Sequence, residues 1–203
     1  MAKRSVREKI VSAAAERFHA LGYSACGVQE IVDAAGVPKG SFYNYFKAKE
    51  LLAREILENY WAGAQLETLA DKSIAPMVRL RRHFEHVASR YKNFGFEKGC
   101  LVAKFVNEVS DSTPLLQKDL RSQVARWTAL IADTVREGQA DGSISKTADP
   151  DATARFLVEG WAGMTGAMKL AASRVPIDEF FSVAFGTLLQ PGAGTSKVRK
   201  RRP

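Results

Sequence analysis

Eight consecutive residues, Lys39-Gly40-Ser41-Phe42-Tyr43-Asn44-Tyr45-Phe46, carry the densest chemistry in the chain. Wound as a helix, Phe42 and Phe46 stand four apart and share one face, which anchors the helix to a core. Lys39, Ser41, Tyr43, Asn44 and Tyr45 take the remaining arc. That arc offers an ammonium, a hydroxyl, an amide and two phenols, groups suited to base edges and phosphate oxygens. Gly40 removes a side chain where a backbone can come close to a phosphate. Lys47 and Lys49 open the next helix, whose free N–H groups and dipole also favour an anion.

Cys100 is the second group with chemistry. It opens a helix after Glu97-Lys98-Gly99, where the helix N-terminus and Lys98 both favour a reactive thiolate; burial would leave the same thiol inert, and both readings stand. Cys26 is expected to be inert. The two cysteines are too few for a disulfide framework, lack zinc-ligand spacing and point to a reducing cytoplasm. His83-Phe84-Glu85-His86 sets two histidines three apart, but without the His-Glu-x-x-His order or a third ligand. A structural or surface pair is expected there, and no metal. No nucleophile–base pair or phosphate loop stands at recognisable spacing, which argues against an enzyme and against any cofactor.

The elements that must position these groups read as helices from end to end. Val6, Ile10, Ala14, Phe18 and Leu21 form one apolar face, stopped by Gly22. A second helix is predicted over 28–35, a tight break at Gly36-Val37-Pro38, a third helix over 39–45, and a longer fourth through Leu51 to Trp61. The fifth begins near Pro76, the sixth covers 100–110, and the seventh follows Pro114 and carries Leu116 to Val135. The eighth spans 151–173 and the ninth 177–189. No strand alternation and no repeat is present, so the fold is all-α. Residues 191–203 read as a disordered basic tail. The boundaries expected are 1–48 for the small helical head, 49–190 for the body and 191–203 for the tail.

Two short helices parted by Gly36-Val37-Pro38 match a helix-turn-helix, whose second helix fits the major groove of DNA. Bulk charge adds little to that reading. The chain has 203 residues and a net charge of +8. Residues 1–60 contribute +2, residues 61–190 contribute +1, and the last 13 residues contribute +5. No stretch approaches the ~20 apolar residues of a membrane span, and the charged start lacks the apolar region of a secretory signal.

The run Gly22-Tyr23, Val28-Gln29-Glu30-Ile31, Ala34-Ala35-Gly36-Val37, Lys39 to Phe46 and Lys49-Glu50-Leu51-Leu52 resembles the DNA-binding domain of TetR-family transcriptional regulators. The resemblance implies a nine-helix, two-domain homodimer with an N-terminal helix-turn-helix and a C-terminal ligand-binding and dimerisation domain. Its partners would be a pseudo-palindromic double-stranded operator and a small-molecule effector, most often acting through repression. Carried onto this sequence, Lys39, Ser41 and Asn44 become base or groove contacts, and Tyr43, Tyr45 and Lys49 phosphate contacts. Gly40, Lys47 and Gln29 complete the expected set. Cys26 and Gly27 stand where the family often has Thr or Ser, and Pro38 where it often has Ser, which removes hydroxyls that usually cap those helices.

Gly160, Gly163 and Ala167 share one face of the eighth helix and allow a close helix approach; glycine there costs ~0.8–1.0 kcal/mol against alanine and wants a packing reason. The resemblance places these residues, with Phe181, Phe185 and Leu188, in a four-helix dimer interface. Phe84, Tyr91, Phe105, Trp127, Trp161, Met164 and Met168, with Cys100, are the candidate effector residues, and Lys104, Asn107, Glu108 and Arg126 the polar groups that would orient a ligand. The stretch Lys98-Gly99-Cys100-Leu101-Val102 resembles a branch of the family that responds to electrophiles or to small unsaturated carboxylates such as acrylate. In part of that branch the equivalent cysteine is the reactive sensor. The alternative expectation is therefore a redox or electrophile switch through Cys100.

Overall fold

Ser5 starts the first helix with a reciprocal cap: the Glu8 amide donates to the Ser5 hydroxyl at 3.2 Å and the Ser5 amide to the Glu8 carboxylate at 2.8 Å, satisfying two donors that a helix start leaves open. The computed structural model describes residues 5–93, 95–147 and 149–191. Among them the chain forms α1 (Val6–Leu21), α2 (Val28–Ala35), α3 (Lys39–Tyr45), α4 (Lys49–Ala62), α5 (Glu67–Ala70), α6 (Pro76–Lys92), α7 (Leu101–Val106), α8 (Pro114–Asp141), α9 (Pro150–Ala171) and α10 (Val175–Val183), closed by a π-helical turn at Ala184–Leu188. No described helix is long and apolar enough to cross a membrane. The tail expected to be disordered lies, from residue 192 on, outside the described residues.

The all-α expectation holds, with two local differences. The single turn α5 sits between the fourth and fifth predicted helices, where no element is expected, and four residues are too few to show a helical period. The helix expected over 100–110 stops at Val106. Beyond it the chain turns, and Glu108 reaches away to the α1–α2 connection.

The first three helices close over Ile10, Phe18, Ile31, Val32, Phe42 and Phe46, all buried. Gly36 takes φ 63°, ψ 42° and ends α2 with its amide on the Asp33 and Val32 carbonyls, a left-handed position that glycine adopts without steric penalty. The larger body packs α8 against α9, α6 and α4, and α9 against α10. Phe84, Trp127, Trp161, Phe180, Phe181 and Phe185 form its aromatic centre, with ring centroids 5.1–6.4 Å apart. One apolar core runs through both parts, joined where Phe105 of α7 meets Phe18 edge-on at 5.5 Å.

The histidine pair divides its work. The Trp127 indole donates to His83 Nε2 at 2.8 Å inside the core, while His86 Nε2 lies 2.9 Å from the Gly63 carbonyl. Among the described residues no three His, Cys, Asp or Glu side chains gather as metal ligands. Burial, with a smaller contribution from His86, holds the His83 pKa down at about 4, from the ordinary histidine value of 6.5. Its neutral ring is therefore worth most above pH 6.5, and stability drains as pH falls from 6.5 towards 4. The difference corresponds to about 3 kcal/mol at most. Urea unfolding of wild type between pH 7 and 4.5 is expected to fall more steeply than that of His83→Gln; parallel curves would show that His83 does not contribute.

Candidate functional site

The α2–turn–α3 unit presents the arc read from the sequence. Phe42 and Phe46 are buried, and their rings meet at 5.7 Å. Tyr43 and Tyr45 are 54% and 47% exposed, and Lys39, Gly40, Asn44 and Lys47 are exposed with them; Ser41 is half-buried. The Tyr43 ring stands edge-on to Phe42 at 5.2 Å, which fixes its direction outward. Gln29 is exposed on α2, its amide donating to Asp33 at 2.8 Å.

Lys49 departs from this pattern. Its ammonium donates to the Tyr23 and Cys26 carbonyls at 2.7 and 3.0 Å and lies 4.1 Å from the centre of the Tyr23 ring. Expected as a phosphate contact, it instead ties the α1–α2 connection to the start of α4, because three donors on one ammonium fill with carbonyls already in reach. Burial pulls its proton affinity below the ordinary lysine range.

The body meets this head through α7. Lys104 Nζ donates to the His19 and Ala20 carbonyls at 3.0 and 2.9 Å, satisfying the C-terminal end of α1. Glu108 accepts from the Ser24 amide at 2.7 Å, and its carboxylate fills the space that a side chain on Gly22, at φ 90°, would occupy. Lys104 and Glu108, expected to orient a ligand, thus bind backbone of the head.

Of the expected effector residues, Phe84, Phe105 and Met168 are wholly buried core. Tyr91, Trp127 and Trp161 line a small cavity of ≈ 20 Å³ together with Tyr60, Arg90 and Cys100; Met164 is buried but does not line it. Tyr60, Trp61 and Arg90 were not anticipated from the sequence. Tyr60 donates to Cys100 Sγ at 3.6 Å, and the Arg90 guanidinium stacks 4.4 Å from the Tyr60 ring centre. Burial raises both Tyr60 and Tyr91 well above the usual phenol range, so both keep their protons. Cys100 is half-buried at the N-cap of α7. It also opens onto a second pocket of ≈ 190 Å³ bordered by Lys104, Asn107, Thr165 and Lys169. Arg126 is exposed on α8 and lines neither space.

The dimer expectation needs a correction. Phe181 and Phe185 point into the core of this chain, at 8% and 2% exposure, stacked on each other at 5.4 Å, and Leu188, half-buried, packs against the same core. They belong to the aromatic centre because α10 presents that face to Phe84 and Trp161. The face left open on α9 is Phe156, Gly163, Ala167 and Leu170, with Gly160 half-buried under Phe180; Val183 of α10 is 57% exposed beside it.

Comparison with known proteins agrees with this arrangement. Residues 10–56 match the model described as bacterial regulatory proteins, tetR family, and residues 76–184 the tetracyclin repressor-like C-terminal domain. The chain is 34% identical over 192 residues to the HTH-type transcriptional repressor DhaR of Mycobacterium sp. strain GP1, covering 93% of this chain and 95% of that protein. It is 34% identical over 176 residues to the transcriptional regulator AcuR of Cereibacter sphaeroides, covering 85% and 80%. The crystal structure of a regulatory protein TetR from Rhodobacter sphaeroides superposes with a TM-score of 0.78 at 33% identity, covering 88% of this chain and 96% of that one. With its helix-turn-helix turned outward and tied to an aromatic-centred body, this chain belongs to the TetR family of bacterial transcriptional regulators, which bind DNA and are not enzymes.

Proposed function

We propose that the protein is a homodimeric repressor that holds a pseudo-palindromic operator and leaves it when a small molecule occupies the body. The observation that carries the reading is the outward arc of α3, with Lys39, Tyr43, Asn44 and Tyr45 exposed while Phe42 and Phe46 fix the helix beneath them. Asn44 and Lys39 supply groups for base edges, and Tyr43 and Tyr45 for phosphates. The stripe Phe156, Gly160, Gly163, Ala167 and Leu170 repeats at four and three residues, so it forms one α9 face that a second copy would cover. Two such copies would set two reading helices one turn of DNA apart.

Effector release is supported by the placement of α7. Its N-cap residue, Cys100, lines the cavity, while Lys104 and Glu108 grip the end of α1 and the α1–α2 connection. A ligand that moves α7 and the turn after it would shift the head through those three hydrogen bonds. It must bind one arrangement better than the other, since an indifferent ligand moves no equilibrium. The test is a gel shift on DNA upstream of the protein's own gene, with excess unrelated DNA as competitor. Retention of one fragment is expected; equal weak binding to all fragments would refute sequence-specific repression.

A further inference from the structure

Lys197-Val198-Arg199-Lys200-Arg201-Arg202 sets five cations in six residues, with no acid among residues 191–203. The rest of the chain has no net charge to answer them: residues 1–60 carry +2 and residues 61–190 carry +1. A run of like charge on a body already positive seeks a polyanion outside it. Where the run leaves the fold decides which polyanion it meets.

The course of α8 gives the direction. Its first turn adjoins the head, since Glu50 at the start of α4 accepts from the Leu116 amide at 2.9 Å and Arg54 pairs with Asp119 at 2.5 Å. Its middle meets the other end of α4, where Trp61 faces Trp127 at 5.8 Å. From there α8 continues away from the head, so Gly138 lies about 33 Å along the axis from Leu116. The chain returns to that far end before it leaves. Ile144 donates to the Gly138 carbonyl at 2.9 Å, and Ser145 to the Leu189 carbonyl at 3.0 Å. Leu189 is 1% exposed, and the Gln190 amide donates to the Phe185 carbonyl at 2.5 Å. The exit at Pro191 is thereby fixed opposite the head.

This exit and the composition exclude three partners. A fully extended chain spans at most ~3.6 Å per residue, so Lys197 stays within about 22 Å of Pro191 and Arg202 within about 40 Å. The exposed arc of α3 stands on the head, beyond the ~33 Å of α8, so the five cations as a group fall short of DNA held there. The carboxylates at the far end are already taken. Asp133 and Asp151 pair with Arg136 at 2.8 and 2.5 Å, Glu137 pairs with Lys72 at 2.8 Å and with Arg79, and Asp149 accepts from the Ala152 amide at 2.7 Å. Residues 191–203 hold Val198 but no Leu, Ile, Met, Phe, Trp or Tyr, so the second, apolar signal that stable membrane attachment takes is missing.

We propose that the segment after Pro191 binds a second stretch of double-stranded DNA, so that the protein holds its operator at one end and unrelated duplex at the other. Arg199, Arg201 and Arg202 supply forks for phosphate oxygens, and Lys197 and Lys200 point charges. Such contacts carry no sequence information. The inference goes beyond the repressor reading and depends on it only for the operator end.

Fluorescence anisotropy of the full chain on a labelled duplex of about 30 unrelated base pairs, between ~50 and ~200 mM KCl, tests the recognition. The variant carrying Lys197→Gln, Arg199→Gln, Lys200→Gln, Arg201→Gln and Arg202→Gln is expected to show a slope of log affinity against log salt shallower by about 4, at ~0.9 per phosphate neutralised. A change under ~1 in a variant that melts as wild type does by circular dichroism would overturn the proposal.

Bridging is tested on the fragment retained in the gel shift, fixed to beads, loaded with protein, washed and offered the labelled unrelated duplex. Wild type is expected to capture that duplex; the variant should hold the operator fragment within ~3-fold of wild-type affinity and capture several-fold less. Equal capture by both proteins would overturn the second-duplex reading. So would a ten-fold or greater loss of operator affinity in the variant, which would place the five cations on the operator itself. Pelleting with vesicles of phosphatidylserine and phosphatidylcholine addresses the other polyanion: vesicle binding that needs the five cations, with no capture of duplex, would also overturn it. The anisotropy needs no operator. If no fragment is preferred in the gel shift, the repressor reading fails and the salt slope still decides this proposal.

Discussion

Replacing Glu137 by alanine is expected to lower the free energy of unfolding by about 3 kcal/mol. Arg79 of α6 is buried at 1% exposure, where its guanidinium bonds the Glu137 carboxylate of α8 and donates to the Leu69 carbonyl of α5 at 3.0 Å. Thr134 donates to that same carbonyl at 3.3 Å, so three helices meet on one charge pair. Removing the carboxylate strands a buried cation with a single neutral acceptor, and orphaning one member of a buried pair costs about 3–5 kcal/mol. The lower end applies because Glu137 keeps 32% of its side chain in water, beside Lys72 at 2.8 Å. Lys72 and Arg79 together hold the Glu137 carboxyl below the usual range. Urea unfolding checks the value. The double change Arg79→Met with Glu137→Leu should cost less than Glu137→Ala alone, since it removes the charge as well as its partner. A loss under ~1 kcal/mol for Glu137→Ala would mean that water reaches Arg79 and replaces the lost carboxylate.

Two substitutions on α3 should separate reading from holding. Tyr43→Ala removes an expected phosphate contact and should weaken binding to every sequence alike. Asn44→Ala removes an expected base contact and should also relax the preference at one position in each half-site. At about 1–3 kcal/mol per contact, the pair should reduce operator affinity by ~100-fold or more. Both side chains are exposed, so unfolding should change by no more than about 1 kcal/mol, chiefly from the Tyr43–Phe42 ring contact. Binding titrations on the retained fragment and on single-base variants check both parts. Unchanged affinity in a folded double variant would remove α3 from the interface.

How much of this was legible in the sequence depended on range. The α2–turn–α3 unit was plain because its determinants are local: Phe42 and Phe46 are four apart, and Gly36-Val37-Pro38 punctuates within three residues. Lys49 was misread because its partners lie 26 and 23 residues upstream, and nothing in the spacing sets carbonyls against that ammonium. The backbone partners of Lys104 and Glu108 were hidden for the same reason, lying 84 and 85 residues away. The last helix is apolar on more than one side, so periodicity alone gave no way to tell that Phe181 and Phe185 face inward while Val183 faces out. Tyr60, Trp61 and Arg90 come from two different helices whose convergence is tertiary. The visible hint was the density of ring-borne and guanidinium donors at Tyr60-Trp61 and Arg90-Tyr91, more polar hydrogen than a plain core stripe carries.

Hydroxyl-radical footprinting of the full chain on the fragment that it retains bears most directly on the regulator reading. Two symmetric protected patches are expected, centred ~10 base pairs or a multiple of that apart, one for each α3 of a dimer, and both lost with Tyr43→Ala and Asn44→Ala together. A single patch, continuous protection along the fragment, or patches that survive in the double variant would contradict it.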